Sequence, residues 1–198
     1  MKEIILASAS ERRSRILSEC SIDHKVLASG VEEKHPKDTP VSQVVQMNAR
    51  VKAEAVAGDL EQAVVVGADT LVVHGKEVIG KPESKEAALS LLEKYSGSKV
   101  EVYTGVCVID TFSGRKASGY EKSSLYTVPL SEKEAERFFD HMAPYDKAGG
   151  FSVEGIGSML FDDIEGSYYN ILGLPMIKLK ELFAQAGLDI LEYVKSDQ

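Results

Sequence analysis

VVVGADTLVV, residues 64–73, is a run of β-branched and apolar side chains interrupted by one carboxylate, Asp69. The run reads as a buried strand. An ionised carboxylate inside such a strand is costly unless it is paired, bound to a metal, or placed at the strand's mouth. Gly67, two residues earlier, suggests a bend or bulge. The strand would then end near Gly67 and hold Asp69 at the rim of a sheet. The other reading is that Asp69 caps a turn through its own side chain, as Asp-Thr pairs do. The stretch alone does not choose between the two.

Outward from this strand, the pattern alternates. Lys2 to Ala7 reads as a first strand, Glu11 to Cys20 as a short helix capped by Ser10, and His24 to Ala28 as a second strand. Residues 31–40 carry two prolines and form a loop. Val41 to Val56 has helical spacing of apolar residues and stops at Gly58. His74-Gly75 turns into a hairpin strand, Glu77 to Ile79. A helix capped by Ser84 runs to Tyr95. Lys99 to Asp110 and Lys116 to Val128 pair across a turn. Ser131-x-x-Glu134 is a capping box opening a helix to His141. Residues 144–157 are rich in glycine and polar groups. Met159 to Glu165 and Tyr168 to Leu172 read as short strands, and Pro175 opens the last helix, to about Ala186. Alternating strands and helices give an α/β class, and the hairpins make the sheet mixed.

The chain has 198 residues, 43% of them hydrophobic, which suits one compact domain in two lobes, residues 1–198. Its formal net charge is −8. An acidic surface argues against binding polymeric nucleic acid, which draws on a basic face. A small polyanion in a local basic pocket is compatible with it. Cys20 and Cys107 are far apart, with no zinc spacing and no disulfide framework. That usage fits a reducing interior. The start, MKEIILASASERRS, is too short an apolar run for a signal peptide, and no segment approaches the roughly 20 apolar residues that span a bilayer. A cytoplasmic protein with no membrane partner is expected.

Several places could carry chemistry. GKEVIGKP, Gly75 to Pro82, matches a phosphate loop for seven positions, but Pro82 stands where the magnesium-binding hydroxyl belongs. Pro82 also pushes Lys81 away from helical geometry, so Lys81 is at most a lone phosphate ligand. SASERRSR, Ser8 to Arg15, lies between a strand and a helix. Free backbone N–H groups, the Ser8 and Ser10 hydroxyls and the planar forks of Arg12 and Arg13 share one place, which suits an anion. The alternative is a capped surface helix with wet arginines. Glu32 and Glu33, in the polar loop, could join Asp69 around a divalent cation, a solvated loop being the plainer reading. Arg50, Lys52 and Glu54 lie on the long helix, where a solvated face is the plainer reading. DKAGGFSVEG, residues 146–155, has adjacent glycines and places Glu154 among small residues, where it could meet a ligand edge.

SASxRRxxxL, GADTxV, GKP, YTGV, DKAGG and EGSYYNILGLP occur in this order between Ser8 and about Ile177. Together they resemble the Maf family of nucleoside triphosphate pyrophosphatases. The resemblance implies an α/β fold with a mixed twisted sheet, two lobes around a cleft, related to the inosine-triphosphate pyrophosphatase fold. It implies hydrolysis of a nucleoside triphosphate to the monophosphate and pyrophosphate with Mg²⁺ or Mn²⁺. Family members often form homodimers and have been linked to cell-division control. By motif, Asp69 would be the general base and Glu33 would sit with it near the metal. Ser8, Arg12, Arg13, Lys52 and Lys81 would hold the triphosphate. Arg12, Thr70 and Glu154 occupy positions the family uses to choose the base. Arg12, Thr70 and the GSYYN run resemble the branch that prefers dTTP and UTP. That branch usually has Gln where this chain has Glu154, and Glu154 resembles the branch preferring 7-methyl-GTP. Glu11 replaces the usual proline of SxSPRR, and either residue can begin a helix. Two other classes are carried forward: a nucleotide-binding regulator with little catalysis, and a partner-binding module of the division machinery. A phosphomonoester hydrolase, releasing orthophosphate, is the rival enzyme class.

Overall fold

A computed structural model describes residues 2–36, 38–142 and 148–195. In chain order the elements are β1 (Glu3–Leu6), α1 (Glu11–Glu19), β2 (His24–Val26), α2 (Val41–Ala57), β3 (Ala63–His74), β4 (Glu77–Ile79), α3 (Lys85–Tyr95), β5 (Lys99–Asp110), β6 (Lys116–Thr127), α4 (Glu132–Met142), β7 (Phe161–Glu165), α5 (Tyr168–Ile171) and α6 (Met176–Gln185). The seven strands form one mixed sheet, so the α/β expectation holds. The chain divides into two compact units. One comprises Met1–Asp69, Thr104–Glu121 and Leu172–Gln198, and the other Thr70–Tyr103 and Lys122–Ile171.

In the first unit the strand order is β2-β1-β3-β5-β6, with β1 parallel to both β2 and β3. Helix α2 packs on this sheet. Ala49, Ala53 and Val56 join Ile5, Ala7, Ala63, Val65, Cys107 and Ile109 in one buried cluster. The small side chains on α2 let its backbone come very close to the strands. Two glycines beneath it make the approach possible. A Cβ on Gly67 would sit 2.2 Å from the Ala49 carbonyl oxygen, and one on Gly105 would sit 2.2 Å from that of Val45.

This corrects the reading of Gly67. The strand does not end there: β3 runs unbroken to His74, and Asp69 is buried in its middle rather than raised at a rim. The glycine marks where a helix touches the sheet, the other established meaning of glycine in a strand. Gly67→Ala and Gly105→Ala are each expected to cost about 1–3 kcal/mol through overpacking against backbone that cannot rotate away. Urea denaturation of the two variants checks this, and unchanged midpoints would contradict it. Gly67→Ala should also lower activity, because α2 carries Asn48 and Lys52 next to Ala49 and Ala53, the residues that meet Gly67.

In the second unit β4 pairs antiparallel with β3 from Val72 to His74, and β7 pairs antiparallel with β6. Ser84 caps α3, its hydroxyl accepting from the Ala87 N–H at 3.2 Å. The capping box of α4 forms as expected: the Ser131 N–H donates to Glu134 Oε2 at 2.9 Å, and the Glu134 N–H donates to Ser131 Oγ at 3.4 Å. Tyr95 is buried against His74 and Phe151, and its hydroxyl donates to the Gly149 carbonyl at 3.1 Å. Asp146 and Lys147 of the DKAGG motif lie outside the described residues.

Two expectations fail here. Tyr168 to Leu172 is not a strand; residues 168–171 form the single helical turn α5. Ser167 starts that turn, its Oγ accepting from the Asn170 N–H at 3.3 Å. The Asn170 side chain then donates to the Val102 carbonyl at 3.0 Å and to Ser123 Oγ at 2.9 Å. The Asn170 side chain thus ties the turn to β5 and β6. The strand expected from Met159 begins only at Phe161, after a 3-10 segment over Gly155–Leu160. Among the described residues no helix is long and apolar enough to cross a membrane.

Candidate active site

The site grows from three places in the first unit. The first is the turn between β1 and α1. Ser10 caps α1 by accepting from the Arg13 N–H at 3.5 Å. The Arg13 side chain reaches back over the turn, where Nη1 donates to Ser8 Oγ at 2.9 Å. Its Nε donates to the Gly173 carbonyl at 2.8 Å. Ser8 is buried and also accepts from the Ser10 N–H at 3.3 Å. The arginine is therefore held in one pose, which removes the plain reading of a wet surface side chain.

The second and third places are α2 and β3. Asp69 is 2% exposed and Lys52 is 8% exposed. Lys52 Nζ donates to Asp69 Oδ1 at 2.7 Å and to Glu33 Oε1 at 2.5 Å. The other Asp69 oxygen, Oδ2, accepts from Asn48 Nδ2 at 3.0 Å. Asp69 thus has donors on both oxygens, and this compensates a carboxylate in an apolar strand. Asn48 also binds the loop: its Oδ1 accepts from the Lys34 N–H at 3.0 Å, and its Nδ2 donates to the Lys34 carbonyl at 3.1 Å.

These places share one field. Burial lowers the Arg13 pKa from its ordinary value, the Asp69 and Glu33 carboxylates pull it up, and Arg12 pushes it down. Arginine stays protonated regardless. What matters is that three cations, Arg12, Arg13 and Lys52, act together with two carboxylates in a chain whose total charge is −8. A local excess of cations in an acidic chain is the kind of arrangement that favours a small polyanion.

The remaining expected residues belong to the second unit. Thr70 follows Asp69 in β3, so its side chain leaves the opposite face of the strand. Lys81 is exposed in the coil after β4, and the preceding Gly80 carbonyl accepts from the Gly149 N–H at 3.1 Å. The interior of GKEVIGKP is strand β4, and Gly75 serves the hairpin with a positive φ of 62°, so no phosphate loop exists there. Glu154 is half-buried before the 3-10 segment, its N–H donating to Ser152 Oγ at 3.2 Å.

Sequence reasoning missed Asn48. The signal was present: Val44, Val45, Asn48, Ala49, Lys52, Ala53 and Val56 form the buried stripe of α2. Two polar residues four apart on a helix's apolar face must meet partners.

Among the described residues no three His, Cys, Asp or Glu side chains gather as a metal cage. Glu33 and Asp69 are a two-carboxylate set, joined through Lys52. Two carboxylates are the donor type a hard divalent cation takes beside phosphate oxygens and water, and in this structure the Lys52 ammonium is bonded to both of them.

The chain matches the family model described as Maf-like protein over residues 3–186. It belongs to the Maf family. The match includes every residue of the Maf-chain network described above. A protein of Desulforamulus reducens named dTTP/UTP pyrophosphatase is 37% identical over 96% of this chain and 100% of its own length. A protein of Dictyoglomus thermophilum with the same name is 40% identical over 96% of this Maf chain and 99% of its own length. Among solved structures, the Staphylococcus aureus Ham1 protein overlaps 64% of this chain and 72% of its own at 17% identity, with a TM-score of 0.44. That overlap is partial and decides neither fold nor function here.

Proposed function

We propose that this protein hydrolyses a nucleoside triphosphate, dTTP or UTP, to the monophosphate and pyrophosphate, with Asp69 as the general base. The observation that carries the reading is the buried Asp69 carboxylate, oriented at both oxygens beside three cations. The full-length relatives named dTTP/UTP pyrophosphatase support the same reading.

Ser8, Arg12, Arg13 and Lys52 bind the triphosphate. Hydrolysis of a phosphoric anhydride needs positioning and charge neutralisation more than covalent help. Water attacks the α-phosphorus, the bond to the bridging oxygen breaks, and pyrophosphate leaves. Asp69 takes the water's proton. A carboxylate has about four lone-pair sites, so two donors leave room for that water. The cationic side chains offset the charge growing on the phosphate oxygens and the departing pyrophosphate. Glu33 and Asp69 would hold Mg²⁺ or Mn²⁺, which supplies Lewis-acid polarisation of the phosphate and the water.

Arg12 and Thr70 favour dTTP and UTP in this reading, whereas Glu154 favours 7-methyl-GTP. A panel of nucleoside triphosphates with magnesium and product identification decides between them. Pyrophosphate released fastest from dTTP and UTP is the expected result. Preference for 7-methyl-GTP would assign base choice to Glu154. Orthophosphate as the sole product would indicate a phosphomonoester hydrolase, and no turnover at all would indicate a binding protein.

A further inference from the structure

The geometry points to Asn48 as a positioning residue that holds Asp69 and the Glu33 loop in register, an inference that rests on the reading of Asp69 as the base. Asn48 is 4% exposed in the middle of α2. Asparagine is a poor helix former, and a buried amide must find partners for every polar atom. Its presence on an apolar stripe therefore needs a compensating role.

That role follows from a chain of donors and acceptors. The Lys34 N–H can only donate and its carbonyl can only accept, so their two bonds to the Asn48 side chain fix which end is Oδ1 and which is Nδ2. Nδ2 then has one hydrogen left, and Asp69 Oδ2 lies 3.0 Å away. Lys52 holds Oδ1. The terminal torsion of an aspartate is broad and two-fold, so a carboxylate anchored at one oxygen can rock. Anchored at both, it presents fixed lone pairs. The same amide pins residue 34 to α2, and Glu33, one residue earlier, lands on Lys52 Nζ. One side chain therefore sets the loop and the strand against each other, acting through Asp69 rather than on the substrate.

The test is a kinetic cycle. Asn48→Leu keeps the branched heavy-atom shape and removes both donors. It is expected to lower kcat about 10–100-fold, the usual cost of removing an orienting partner, while KM for dTTP and nucleotide affinity by calorimetry stay within about threefold. Asn48→Asp, nearly isosteric, places a second carboxylate beside Asp69 and should lose at least as much, which covers the case of a poorly folded leucine variant. In an Asp69→Asn background, Asn48→Leu should change residual kcat by less than about twofold, because it acts through Asp69. A purely structural tie would instead lower the melting temperature, leave kcat unchanged well below it, or reduce turnover equally in both backgrounds. Wild-type kcat in a folded Asn48→Leu variant, or losses that multiply in the double variant, would overturn the inference and leave Asp69 as the base. Full turnover in Asp69→Asn alone would overturn the base reading, and this inference with it.

Discussion

Asp69→Asn is expected to yield a folded protein that binds nucleotide but turns over about 10²–10⁴-fold more slowly, the range associated with loss of a general base. The substitution keeps shape and one acceptor oxygen. Its new NH₂ faces a donor, either Lys52 or Asn48, where the wild type offers an acceptor. One buried donor loses its partner, at a cost of about 1–3 kcal/mol. A domain of this size has about 5–15 kcal/mol of stability to draw on, so the fold survives. Removing the negative charge does not weaken the hold of Arg12, Arg13 and Lys52 on phosphate. KM should therefore stay close to its normal value while kcat collapses. Steady-state kinetics with dTTP, with circular dichroism and nucleotide titration on the same preparation, checks all three statements. A kcat near that of the wild type would remove Asp69 from the proposed chemistry.

Lys52→Met should have the largest effect on stability. Methionine fits the length of the lysine stem but removes the ammonium that bridges Asp69 and Glu33. The two carboxylates fare differently. The Glu33 side chain is 46% exposed and returns to water at little cost, whereas the Asp69 side chain is 3% exposed and stays buried, with Asn48 as its hydrogen-bond partner and Arg13 as the cation still acting on it. Removing one member of a buried pair costs about 3–5 kcal/mol, because the survivor's charge is uncompensated. Adding Asp69→Asn to Lys52→Met removes that stranded charge and should recover part of the loss. Urea denaturation of the two single variants and the double variant measures the coupling. A loss below about 1 kcal/mol in Lys52→Met, or no recovery in the double variant, would show that the bridge contributes little. Lys52→Met should also raise KM for the triphosphate, since Lys52 is one of its proposed ligands.

Local features were legible in advance where they rest on short-range physics. The hairpin at Gly75, the Ser84 cap and the Ser131–Glu134 box each involve groups within a few residues, and each forms as expected. The same logic failed at Tyr168. An apolar aromatic run fits a strand or a buried turn equally well, and the choice fell to Ser167 at one end and to the distant Val102 and Ser123 that Asn170 meets. Lys52 shows the limit for the site. Read alone on α2 it looks like one more solvated lysine, and the resemblance to a family, rather than its spacing, marked it out.

The sequence by itself determined the α/β class, most of the elements, the Ser10-capped turn into the first helix, and the fact that Asp69 needs compensation. Alternation, capping and the cost of a bare carboxylate act over a few residues. Only the tertiary structure decided what compensates Asp69. Its partners, Asn48 and Lys52, lie 21 and 17 residues away in the chain. They reach it because α2 presses onto β3 and β5 at Gly67 and Gly105. The depth of that contact depends on missing side chains on one element and small ones on another, so it exists only once the two have packed.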